Sequence, residues 1–161
     1  MLTPSSGHRL FLALWLLLPL LSGCGSDQSS PEEQIRQMLT AGELAVESRS
    51  VTAVQEHISE QYSDEAGNQN RSLARLLAGY FIAHQSIHLL TQVGSITLIG
   101  EDQAEATVFA AVASQPIQAA ADLVSLRAEL MRFDLKLVNE ASHWRVRSAS
   151  WRRADMQDFL Q

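Results

Sequence analysis

From Ser30 onward, apolar residues recur every three and four positions: Ile35, Met38, Leu39, Gly42, Ala45 and Val46 form one stripe, the pattern of an amphipathic helix. Ser30-Pro31-Glu32-Glu33 just before it reads as an N-cap serine, a proline at the first helical position and a glutamate at the third, a capping box. Ser50 is placed to cap a second, shorter helix with Val51, Val54 and Ile58 on its stripe, ending near Tyr62. Residues 63–70 (SDEAGNQN) are turn-rich. Asn70 is placed to cap a third helix, whose stripe of Leu73, Leu76, Leu77, Tyr80, Phe81 and His84 is the most regular in the chain.

After Ser86 the period falls to two and β-branched residues become frequent, which predicts strands. Ile87 to Ile99 reads as one strand, or two broken at Gly94, where a missing side chain permits a bulge. Residues 100–103 (GEDQ) make a turn, and Ala104 to Ser114 is the next strand. Beyond Pro116 an alanine-rich link, 118–121, leads to a long strand from Leu123 to Val138; residues 139–142 turn it into a last strand from His143 to Trp151. With Val138 opposite His143 across a four-residue loop, Leu137 meets Trp144, Leu135 meets Val146 and Phe133 meets Ser148. Lys136 then meets Arg145 and Asp134 meets Arg147, so oily and charged faces separate, as a correct register requires.

One apolar run has no alternation at all. Leu10 to Leu21 (LFLALWLLLPLL) follows the basic Arg9. As a helix it extends about 18 Å, too short for a hydrocarbon layer of about 30 Å. A basic start, a short apolar core and small residues at its end make a signal peptide over residues 1–23. The chain of 161 residues then has room for one domain, residues 31–161, and its net charge of -6 argues against nucleic acid as a partner.

The chain's single cysteine, Cys24, ends that run and cannot form an internal disulfide. Leu21-Ser22-Gly23-Cys24 resembles the lipobox of bacterial lipoproteins. The resemblance implies lipidation of Cys24, a flexible lipidated tether over residues 24–30, and attachment to a membrane through acyl chains. Gly25, where many such proteins carry an aspartate that retains them at the inner membrane, implies the periplasmic face of the outer membrane of a Gram-negative host.

Three helices followed by an antiparallel meander predict an α+β fold, with the helices packed on one face of a curved sheet of about four strands. The element order, the loop Tyr62 to Gly67 (YSDEAG) and the ending His143 to Trp151 (HWRVRSASW) resemble the nuclear-transport-factor-2-like, or SnoaL-like, superfamily. That resemblance implies a cone whose mouth is a pocket, catalytic in some members and merely binding in others. Its candidate lining is Tyr80, His84, Arg127, Glu129, Met131 and Phe133, with Arg127 and Glu129 on one strand face. None is assigned a catalytic role, because no acid and base with a shared substrate position stand out. His57, His84 and His88 are not expected to bind metal, since helix and strand separate their rings, and no cofactor is implied.

Two surfaces bear on partners. The strand from Ala104 is apolar or small on both faces, which requires cover on both: a homodimer through the sheet and shielding by the link at Pro116 both supply it. Arg132, Lys136, Arg145 and Arg147 form a basic stripe on the face opposite the oily one. The reading favoured by these patterns is a lipid-anchored, non-enzymatic module for a small apolar ligand or an envelope protein partner. An isomerase-like or dehydratase-like enzyme and an accessory subunit of an envelope assembly are the alternatives.

Overall fold

The computed structural model describes residues 29–159, so the expected signal peptide, Cys24 and the expected tether as far as Gln28 lie outside the described residues. Within them, α1 (Pro31–Glu47), α2 (Val51–Glu56) and α3 (Asn70–Ala83) precede β1 (His88–Ile99) and β2 (Gln103–Ala113). A single-turn helix α4 (Asp122–Ser125) leads to β3 (Glu129–Glu140) and β4 (His143–Arg153), and a 3-10 turn (Met156–Phe159) follows. The sheet is an antiparallel meander in the order β1-β2-β3-β4, and the fold is the α+β arrangement that the pattern predicts.

The caps are partly those predicted. The Ser30 hydroxyl accepts the Glu33 N–H at 3.2 Å, and the Ser50 hydroxyl accepts the Ala53 N–H at 3.2 Å. At α3 the capping residue is Gln69, not Asn70, and Ser72 returns the bond. Asn70 instead ties α3 to the end of α2, its amide donating to the Ser59 carbonyl at 3.0 Å. That end comes early. α2 stops at Glu56, and the residues beyond it run along the outer edge of β4, where the Val146 N–H donates to the His57 carbonyl and the Ser59 N–H to the Val146 carbonyl. An edge strand thereby gains a partner for its exposed backbone groups.

The three helices cover one face of the sheet. Ile35 and Met38 of α1, Tyr62 and Leu73 pack on Ala104, Ala106, Leu137, Trp144 and Val146. Nearer the other end of the sheet, Ala45, Val54 and Phe81 gather with Ile87, and Leu77, Tyr80, Leu89 and Val112 pack on them. On the opposite face, Ala111 is fully buried under Leu123 and Phe159. The cover that a doubly apolar β2 requires is thus supplied at this end by the chain's own link and C-terminal turn.

Two register features depart from the sequence reading. The β3–β4 turn has two residues, not four: Glu140 pairs with His143, and Ala141 and Ser142 both take positive φ, 51° and 65°. A bulge then places Arg147 outside the ladder, so Leu137 pairs with Val146 but Lys136 with Ser148, Leu135 with Ala149 and Phe133 with Trp151. One extra residue reverses the facing of everything beyond it. The predicted basic stripe is broken by the same bulge, with the Arg147 guanidinium turned to the Gln61 carbonyl. The bulge predicted at Gly94 is present, between Val93 and Ser95 of one continuous β1.

Candidate functional site

The concave side of the sheet is covered by the cluster under α1 at one end and, over β1 and β2, by the cluster around Phe81 at the other, and it is less covered on the β3–β4 side of that second end. Leu135 and Leu137 belong to the cluster under α1, whereas Met131 and Phe133, on the same face of β3, stand outside all three buried clusters. Phe133 lies between Val108 of β2 and Trp151 of β4 on the ladder, and its ring is 6.5 Å from that of Trp151. Met131 pairs with Ala110. Across from this wall runs the α3 stripe, on which Leu76 shares a face with Leu73 and Tyr80 by its three- and four-residue spacing. Leu76 is 49% exposed and Trp151 41%. A tryptophan left this open beside Phe133 on the helix-covered face is the informative kind of exposure.

Polar groups sit at the rim. Tyr80 and His84 stack with ring centroids 4.0 Å apart, and His84 Nδ1 lies 2.9 Å from the Tyr80 carbonyl oxygen. Burial raises the Tyr80 phenol above its ordinary pKa, and the Glu129 carboxylate adds to the shift. The hydroxyl therefore stays protonated at neutral pH and serves as a donor. Glu129 opens β3 with its side chain 54% exposed, 3.9 Å from Arg153.

The structure thus brings Tyr80, His84, Glu129, Met131 and Phe133 to one end of the concave side and leaves Arg127 out. The strand does not begin at Leu123, because residues 122–125 form α4, and Arg127 sits in the turn after it with φ 52°. The supposed Arg127–Glu129 clamp on one strand face is not formed; the cation near Glu129 is Arg153. Two residues were missed. Trp151 faces inward only because of the bulge at Arg147, and an unbroken alternation puts it outside. Leu76 belongs to the stripe that the spacing assigns to the core, yet it is 49% exposed. The three histidines do not converge: His57 lies at the end of α2, and among the described residues no three metal-ligating side chains gather.

On the outer face a second concavity of about 400 Å³ is polar, lined among others by Ser95, Thr97, Glu105, Thr107 and Lys136. Its organising group is Asp134, which accepts the Thr107 hydroxyl at 2.8 Å and two guanidinium nitrogens of Arg132 at 2.7 to 3.0 Å. Those Arg132 bonds, with the Thr107 bond, hold the Asp134 carboxyl below its ordinary pKa against the opposing effect of burial.

No family model matches the sequence, and no curated protein matches it. Solved structures do match. A scytalone dehydratase-like protein of Novosphingobium aromaticivorans aligns over 77% of this chain and 84% of its own, with a TM-score of 0.64 and 10% identity. An NTF-2 like protein of unknown function from Shewanella oneidensis aligns over 76% and 98%, at TM-score 0.56 and 15% identity. Bd1075 of Bdellovibrio bacteriovorus aligns over 76% of this chain but only 40% of that one, at TM-score 0.59 and 8% identity. At these identities the likeness establishes the nuclear-transport-factor-2-like cone fold and nothing about chemistry.

Proposed function

We propose that this chain is a non-catalytic binding module for a small, largely apolar ligand, carried at the periplasmic face of the outer membrane by a lipid on Cys24. The observation that carries the binding role is the Phe133–Trp151 pair, which with Met131 lies on the helix-covered face of the sheet yet outside every buried cluster, with Trp151 41% exposed and the Tyr80 hydroxyl and Glu129 close to each other at the same end. An apolar concavity with few polar groups at its edge suits a ligand held by burial and oriented by one or two hydrogen bonds.

The same geometry weighs against dehydratase or isomerase chemistry. Such a reaction needs a base within hydrogen-bond reach of a sequestered substrate. Of the carboxylates toward this end, Glu129 is more than half exposed and faces Arg153, Glu43 and Glu47 are engaged by the Thr91 hydroxyl and the Leu89 N–H, and the Tyr80 phenol is held protonated. The anchor rests on the lipobox resemblance of Leu21 to Cys24 and on the polar tether after it. At about 0.8 kcal/mol per buried methylene, two or three acyl chains make such attachment durable.

Mass spectrometry of the chain taken from its native membranes tests both halves. The expected result is a polypeptide beginning at an acylated Cys24 that retains one apolar small molecule in a native spray. A start upstream of Cys24 or a free thiol there removes the anchor. A chain that turns over a ligand, with the turnover lost in Glu129→Gln or Tyr80→Phe, replaces the binding role with an enzymatic one.

A further inference from the structure

A groove of about 830 Å³ opens between the flank of α1 and the tip of the β3–β4 hairpin, away from the concave mouth. Met38, Ala41 and Trp144 give it an apolar wall. Trp144 is 4% exposed, yet its indole N–H has no acceptor among the described residues. The next residue, Arg145, also lines the groove, and its Nε–H is likewise buried without a partner among the described residues. Buried donors in folded proteins nearly always find acceptors, so two orphans at one concavity mark a place where acceptors are supplied from outside.

The charges at the groove narrow what those acceptors are. Arg145 is its guanidinium, and Glu140 Oε2 forms a long ion pair with it at 3.8 Å, beyond hydrogen-bond reach, while the other oxygen of that carboxylate accepts the Ser59 hydroxyl at 2.7 Å. His57 on the side wall is kept below its ordinary pKa by burial and by Arg145, against the pull of Glu56, and is neutral at pH 7. One loosely held guanidinium, orphan N–H donors and an apolar wall match a monoanion with a greasy body. A dianion is disfavoured, because Glu56 lines the groove and Glu140 flanks Arg145.

We propose that this groove is a binding site for a small organic monocarboxylate with a short apolar body. The carboxylate pairs with Arg145 and accepts from the orphaned donors, and the body lies against Ala41 and the exposed edges of Met38 and Trp144. Both donors are buried, so the ligand reaches them through a side-chain rearrangement at the groove wall.

The test is a titration of the full-length chain with hexanoate, followed at the tryptophan indole N–H resonances. Trp144→Phe identifies the Trp144 signal. The proposal expects hexanoate to move that signal downfield and saturably, hexanamide and inorganic phosphate to leave it in place, and Arg145→Gln to weaken binding roughly tenfold or more. It is overturned by a Trp144 resonance that does not move, by hexanamide acting as well as hexanoate, or by unchanged binding in Arg145→Gln. A response confined to Trp151 also overturns it and places the ligand in the concave mouth instead, so the two sites succeed or fail separately.

Discussion

Arg49 Nη2 donates to the Phe81 carbonyl at 2.9 Å, and Nη1 of the same guanidinium reaches the Gln85 carbonyl at 2.9 Å. The turn after α1 thereby closes the C-terminal end of α3, where helix carbonyls lack partners and a positive charge is favoured. Arg49→Met removes both bonds and is expected to lower the unfolding free energy by about 1–2 kcal/mol, read from urea denaturation.

The β3–β4 turn is built from residues ill suited to it. Ala141 and Ser142 both occupy the left-handed region, at φ 51° and 65°, which a two-residue hairpin turn of this kind fills best with Asn-Gly. The double change Ala141→Asn and Ser142→Gly relieves that strain and is expected to stabilise the protein by about 1 kcal/mol in the same denaturation.

Gly94 is required by space. A Cβ there would lie 2.8 Å from Cε2 of Phe109, whose ring packs at 6.0 Å from Phe159. Gly94→Ala must displace the ring from that contact, an overpacking cost of about 1–2 kcal/mol. Adding Phe109→Leu to the variant is expected to make the two costs non-additive, since the residues share one contact.

Stability falls on acidification in two windows. His57 has its pKa lowered chiefly by burial, so its contribution is complete above the unfolded value of about 6.5 and declines as pH falls through the folded one. Asp134 is lowered chiefly by the Arg132 bonds, so its contribution is complete above about 3.9 and is lost on further acidification. Thermal melts from pH 7 to pH 3 are expected to flatten in the upper window for His57→Gln and in the lower one for Asp134→Asn.

The elements that sequence makes legible are those that carry their own period. The α1 stripe, the caps at Ser30 and Ser50 and the alternation through β1 and β2 all reappear, because burying one face fixes them locally. The β3–β4 register was misread because Ala141-Ser142 carries no Asn-Gly signature and the bulge at Arg147 has no glycine to mark it. That one residue decides whether Trp151 is a wall of the mouth or an outer-face tryptophan. Arg127 was misplaced for a different reason: residues 122–125 alternate no worse as a strand than as one helical turn, and contact between Leu123 and Ala111 decides it.

The proposed binding role requires that the concave end between α3 and the Phe133–Trp151 pair be open and apolar enough to hold a ligand. It is tested most directly by titrating the full-length chain with 2-naphthol, a neutral aromatic probe, while following the Trp151 indole resonance. The binding role predicts a saturable shift at Trp151 with one equivalent bound, weakened roughly tenfold or more by Phe133→Lys or Met131→Lys, which place a charge beside the Trp151 ring. A Trp151 resonance that stays fixed at saturating probe, or a shift that neither variant weakens, contradicts it.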